Sequence, residues 1–193
     1  MKEIIAQVIS VHARSNGDLG KEEHPSIQVE LNGIIGDRHR SYIRGTWRSD
    51  KQPEGSIRRN ERQWSAVSIE ELTEIQQKMG IKEPLTAASL GANLCFQGLP
   101  KLSQLPKGTL LKFPSGAELM VEEYNPPCHD MGKKLASIHN TTSGNPLTTT
   151  AFSKAAKLTR GVVGIVEVAG EINAGDEVTI VIYETPSYLI PTN

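Results

Sequence analysis

Cysteine is nearly missing from this chain of 193 residues; only Cys95 and Cys128 occur. Two thiols are too few for a zinc site built from cysteine alone, no Cys-x-x-Cys pair exists, and a disulfide is a poor default in a cytosolic chain. His24, His39, His129 and His139 could join Cys128 around a metal, but no two histidines stand at His-x-x-x-His spacing, which argues against a zinc site. Long apolar runs are also absent. None approaches the roughly 18 residues of a membrane-spanning helix. The first residues, Met1 to Ile9, carry Glu3 and Gln7 where a signal peptide would be apolar. The chain therefore reads as cytoplasmic, with no membrane partner. Net charge is nearly absent too, at −1 from 21 basic and 22 acidic residues. That balance excludes a histone-like cation and an acidic tail.

The balance hides an asymmetry. Of nine arginines, seven (Arg38, Arg40, Arg44, Arg48, Arg58, Arg59, Arg62) fall within residues 38–62, where Lys51 and three acids leave a local charge of +5. Nucleic acid is a poor fit to this window, because stacking aromatics are few (Tyr42, Trp47) and no helix carries a basic face. A solvated loop is the bland reading. The preference for arginine over lysine leans towards specific anion recognition, since the guanidinium fork binds phosphate bidentately. Residues 40–62 have neither helical nor strand period and read as a long loop (the Arg-rich loop proper at 40–60). Its middle, Arg40 to Arg59, is expected to be mobile and at the mouth of the Cys128 pocket.

Glycine (17) and proline (11) punctuate short segments, which favours a β-rich fold in one domain over residues 1–193. Strands are expected at residues 2–12, 27–31, 63–67, 161–169 and 178–182. A short strand or turn is expected at 94–96, and a hairpin from 109–113 and 117–123. Ser68 followed by Glu71 forms a capping box. Ile69, Leu72, Ile75, Gln76 and Met79 continue at helical spacing until Gly80. A second helix is expected over 148–158, with Phe152, Ala155 and Ala156 inward. The core spans about 5–183, and the tail from residue 184 is expected to lie over the surface.

Cys128 is the leading candidate for chemistry. Pro126-Pro127 ends strand pairing, and a helix or turn beginning at residue 128 would set the thiol against unpaired N–H groups, with Lys133 and Lys134 nearby. Such a setting favours the reactive thiolate, although buried cysteines are commonly structural. Cys95, between Leu94 and Phe96, reads as core. In the Gly36-Asp37-Arg38-His39 turn, glycine allows close backbone approach, Asp37 can orient a neighbour, and Arg38 and His39 can bind an anion.

Taken in order, several short motifs resemble a MOSC domain, the family named for the C-terminal domain of molybdenum-cofactor sulfurase. They are Gly36-Asp37-Arg38-His39, Arg62-Gln63, the Ser68 helix, Gly91-Ala92-Asn93, Leu105-Pro106-Lys107-Gly108-Thr109, Asn125-Pro126-Pro127-Cys128, Arg160-Gly161-Val162 and Gly175-Asp176-Glu177-Val178. The resemblance implies a mainly β fold, a barrel-like core with a few peripheral helices. It implies that Cys128 either carries sulfur as a persulfide or ligates molybdenum of a molybdopterin-type cofactor. Gly36, Asp37, Arg38, His39, Arg62, Asn93 and Arg160 would then surround that anionic cofactor. Larger relatives are fused to a pyridoxal-phosphate cysteine desulfurase. No pyridoxal-phosphate site is expected in this chain, so a desulfurase, or an electron-transfer partner, would act in trans. Many relatives carry Gly-Glu-Asn where this chain has Gly91-Ala92-Asn93, so no acid role is carried to that site. Three functions follow as expectations: a sulfur carrier, a molybdenum-dependent reductase of N-hydroxylated compounds, or a non-enzymatic anion-binding barrel.

Overall fold

The computed structural model describes residues 2–16, 19–48 and 50–184. In chain order its strands are β1 (Lys2–Ala13), β2 (Glu22–His24), β3 (Ser26–Glu30), β4 (Gly33–Ile34), β5 (Ile43–Gly45), β6 (Ile57–Arg59), β7 (Trp64–Ser68), β8 (Leu94–Gln97), β9 (Leu110–Lys112), β10 (Glu118–Tyr124), β11 (Val162–Val168), β12 (Gly170–Asn173) and β13 (Glu177–Ile182). The helices are α1 (Ile69–Met79), α2 (His129–Ile138) and α3 (Ala151–Ala155). The chain is mainly β, as the resemblance implies. The proposed surface tail lies outside the described residues, save its first, Glu184.

Seven strands close into a barrel in the order β13-β9-β10-β11-β7-β8-β1, with β1 pairing back onto β13 from Lys2↔Ile182 to Gln7↔Glu177. Closure removes the unpaired edges an open sheet would expose. Alternating residues of these strands fill the interior, including Val8, Val11, Trp64, Phe96, Leu111, Leu119, Val162 and Ile180. Trp64 is locked there by donating from Nε1 to Ile165 O at 2.8 Å. A small sheet, β12-β3-β4, packs beside the barrel.

One strand pair breaks the antiparallel rule: β7 and β8 run parallel, Ala66↔Leu94 to Ser68↔Phe96. Parallel neighbours need a crossover, and α1 lies within it. Ser68 caps α1, accepting from Glu71 N at 3.3 Å, and Gly80 closes it in the left-handed conformation. The buried face of α1 (Leu72, Ile75, Met79) joins Met131, Leu135 and Phe152 in a second core outside the barrel. Helix α3 packs against both α1 and α2 there.

The arginine-rich window differs from expectation. It is not a period-free loop but holds the hairpin β5–β6, with Ile43↔Arg59, Arg44↔Arg58 and Gly45↔Ile57 in register. Three residues per strand are too few for a periodic signal. Ion pairs hold it instead: Arg44 pairs with Asp50 and Glu61, Arg58 with Asp50 at 3.3 Å, and Arg59 with Glu122 on the barrel. These bridges replace the expected mobility with a fixed position.

Candidate functional site: a thiol in an arginine-lined cleft

Strand β10 runs out of the barrel through Asn125-Pro126-Pro127, and α2 begins directly afterwards. Cys128 is the N-cap of α2: its backbone is extended, and Sγ accepts from Met131 N at 3.4 Å. The helix start is thus where the proline lead-in predicts, and the thiol sits at its positive end. Because β11 is antiparallel to β10, with Tyr124↔Val162, the two residues ahead of β11, Arg160 and Gly161, lie beside the end of β10, where Asn125 N donates to Gly161 O at 2.9 Å.

Arg160 is 7% exposed, yet no carboxylate pairs with it among the described residues. Its Nη2 donates to Leu90 O at 2.9 Å, its guanidinium carbon lies 6.0 Å from the Phe152 ring centroid, and its Nη1 has no hydrogen-bond partner. Burial pulls its pKa down to about 10, while the Cys128 sulfur opposes that shift. A buried cation without a counter-ion is costly, so this is a place prepared for negative charge.

Arg160 and Cys128 share a cavity of about 270 Å³ with Arg38, His39, Arg62 and Asn93. Of the residues implied by the resemblance, these line the cleft, while Gly36 and Asp37 do not. Gly36 is an exposed turn residue at φ 78°, with open space around the position a Cβ would take. Asp37 is buried behind the wall and acts through others. It accepts from Lys21 Nζ, from Asn93 Nδ2 at 2.9 Å, and from the His39 backbone N–H at 3.0 Å. Its Oδ1 also lies 3.1 Å from His39 Nδ1. Burial alone would raise the Asp37 pKa, but the His39 hydrogen bond and the Lys21 cation outweigh it and hold the carboxyl well below the usual carboxylate range. Burial lowers the His39 pKa despite Asp37. A neutral His39 with Nδ1–H on Asp37 keeps Nε2 as an acceptor, a group able to take a proton.

Asn93 has little capacity left for a ligand. Its Nδ2 serves His12 O and Asp37, and its Oδ1 accepts from Ser65 N at 3.1 Å. It stitches β1, β7 and the 36–39 turn together. Arg62 is half engaged, donating to Asn125 Oδ1 at 2.6 Å and to Glu123 Oε1 at 3.2 Å. The lysines expected near the thiol are drawn elsewhere: Lys133 lies 3.6 Å from Asp130, and Lys134 donates to Ser89 O at 2.9 Å. Arg160 supplies the positive charge instead. Cys95 is buried, and burial followed by Glu70 pushes its thiol up to about 11, as suits an inert core residue.

Two contributors escape the motif reading. Trp47 joins the cavity wall, with the Arg44 guanidinium 4.3 Å from its ring centroid and that of Arg62 at 5.7 Å. Its place as one of two aromatics in the arginine window is the only signal. Lys21 is buried against Asp37, yet in Gly20-Lys21-Glu22-Glu23 it reads as an ordinary solvated charge. Among the described residues no group of three or more His, Cys, Asp or Glu is placed to hold a metal.

A closed barrel presenting one exposed thiol to an arginine-lined cleft defines the class of protein. The MOSC domain family matches residues 42–179. YuaD of Bacillus subtilis, named as a candidate metal-sulfur cluster biosynthesis protein, is 33% identical over 184 residues, covering 95% of this chain and 94% of its own. The crystal structure of YuaD superposes with a TM-score of 0.88 at 32% identity, over 95% of this chain and 99% of that one. YiiM from Geobacillus stearothermophilus shares the fold, with a TM-score of 0.61 at 16% identity over 91% of this chain and 75% of its own. This chain therefore belongs to the MOSC domain family.

Proposed function

We propose that this chain is a sulfur carrier of metal–sulfur cofactor metabolism, in which Cys128 accepts sulfane sulfur as a persulfide and passes it on. The observation that supports this most is the pairing of an exposed thiol at a helix N-cap with the partnerless Nη1 of buried Arg160. A persulfide forms when a thiolate attacks a sulfane sulfur, by the logic of thiol–disulfide exchange. The product is an anion, and Arg160 and the α2 N-terminus stabilise it. The name of the YuaD relative points the same way. A cysteine desulfurase acting in trans is one source of that sulfur.

The test is mass spectrometry of the full chain after incubation with a cysteine desulfurase and cysteine. Cys128 gains the mass of one sulfur atom, Cys128→Ser gains nothing, and Cys95 stays unmodified. Absence of the adduct on Cys128 under conditions that load a known acceptor overturns the reading.

A second reading is favoured by the same donor set. A thiol beside a partnerless guanidinium fits the anionic pterin cofactor associated with the family: Arg160 and Arg62 would hold its phosphate, and Cys128 would offer a soft ligand to molybdenum. When bound, that cofactor would supply two-electron chemistry of the kind needed to reduce N-hydroxylated compounds, with an electron-transfer partner in trans. Elemental and pterin analysis of protein from a molybdate-fed host tests it. Near-stoichiometric metal that is lost in Cys128→Ser supports it, and metal-free, pterin-free protein counts against it.

A further inference from the structure

Stabilising a persulfide anion accounts for one positive group beside the thiol, yet Arg62 and the α2 N-terminus stand there as well as Arg160. A donor that hands over sulfur from a protein arm brings its own surroundings. Arg160 is therefore informative about the donor. It is nine-tenths buried, its Nη1 is partnerless, it lines the same small cavity as Cys128, and no acid neutralises it among the described residues. Arg62 lines that cavity from the lead-in to β7, the strand paired with β11. The α2 N-terminus adds its positive end at the sulfur, in a helix of 10 residues. The three together are arranged for a compact oxyanion held against Cys128.

We propose that the cleft takes thiosulfate-class donors, small dianions whose sulfane sulfur is bonded to an oxidised sulfur centre, and that Cys128 is loaded from them without a protein donor. This deepens the sulfur-carrier reading and rests on it. The Cys128 thiolate attacks the terminal sulfur of thiosulfate. The new Sγ–S bond forms as the bond between the two thiosulfate sulfurs breaks, and its electron pair leaves with sulfite. The products are the Cys128 persulfide anion and one sulfite. Charge is conserved, and no outside oxidant or reductant is needed. Arg160 binds the oxyanion end throughout, so it neutralises the sulfonate oxygens of the donor and then the departing sulfite.

The experiment uses the reduced full chain, with thiosulfate alone in one arm and a cysteine desulfurase plus cysteine in the other. The expected result in the thiosulfate arm is one sulfur mass on Cys128 and one equivalent of sulfite released. Arg160→Gln slows that loading about tenfold or more, the scale of a lost charge-assisted hydrogen bond, and Arg160→Lys restores part of it. Since Arg160 is buried, its variants are checked by thermal melting. Should they fail to fold, the wild-type chain decides: sulfate, an unreactive oxyanion, slows alkylation of Cys128 by iodoacetamide, whereas chloride at matched ionic strength does not, and equal rates in the two salts overturn the inference. A chain that loads from the desulfurase but not from thiosulfate overturns this inference and leaves the carrier reading standing. Loading from neither source overturns both. Thiosulfate loading that is indifferent to Arg160→Gln in a folded variant also overturns it.

Discussion

Glu71 sits almost fully buried on the first turn of α1, with Ser103 N donating to Oε1 at 2.9 Å and Ser103 Oγ bonding Oε2 at 2.8 Å. Ser103 Oγ in turn accepts from Gly161 N at 2.6 Å, next to Arg160. Burial is the largest influence on this carboxyl and pushes its pKa up to about 7 against the hydrogen bonds from Ser103. The folded state then holds a proton that the unfolded chain releases near the ordinary value of 4.5. Between those two values the folded state binds more protons, so stability falls as pH rises. Ionising Glu71 costs the fold about 3 kcal/mol by pH 8 relative to pH 4. Urea denaturation at a series of pH values should show that decline, and Glu71→Gln should flatten it. An unchanged slope in the variant would mean that another group carries the effect. At this scale Cys128 and Arg160 are legible as residue types, but Glu71 is not. In the sequence it is simply the acid of a capping box, and only the packing of α1 on Ser103 shows that it is buried.

The position of Cys128 depends on how closely α2 approaches α3. Gly132, one turn into α2, is buried, and a Cβ there would strike the backbone carbonyl oxygen of Thr149 ahead of α3. Replacing glycine by alanine inside an exposed helix ordinarily stabilises it by about 1 kcal/mol. Here the sign reverses, because a backbone oxygen cannot rotate away. Gly132→Ala should cost about 1–3 kcal/mol and slow Cys128 loading by tilting the helix that carries it; a stabilised, fully loading variant would refute the tight approach. Helix α1 and hairpin β9–β10 are readable from sequence because their signals lie in consecutive residues: Ser68, Glu71 and Gly80 for the helix, Pro114-Ser115-Gly116 for the turn. The β5–β6 hairpin is not, since what holds it joins distant residues, Arg44 with Glu61 and Arg59 with Glu122. No local period records such pairs. The parallel β7–β8 pairing is hidden for the same reason. The sequence shows a strand, a helix and a strand, but not that the two strands become neighbours.

Across the whole molecule, a net charge of −1 would give an anion no reason to approach. The barrel's connections change that by gathering Arg38, Arg62 and Arg160 around one cavity; Arg62 also pairs with Glu123, and Arg40, Arg44, Arg58 and Arg59 are held by Glu30, Asp50, Glu61 and Glu122. Most of these arginines are thus spent on holding the hairpin, and buried Arg160, which no acid neutralises among the described residues, sets the positive field at the thiol. A field of this kind raises the local concentration of anions and weakens with salt, since the Debye length falls from about 10 Å at 0.1 M to about 3 Å at 1 M. The rate of Cys128 alkylation by iodoacetate, an anion, divided by the rate with neutral iodoacetamide reports it directly. The ratio should be highest at low ionic strength and should fall several-fold by 1 M salt. In Arg160→Gln it should start lower and respond less. Cys95, buried in the second core, supplies no competing signal in the native chain. A ratio independent of salt would show that the arginines around the cleft are neutralised by their own neighbours, and the anion-binding role of Arg160 would fall with it.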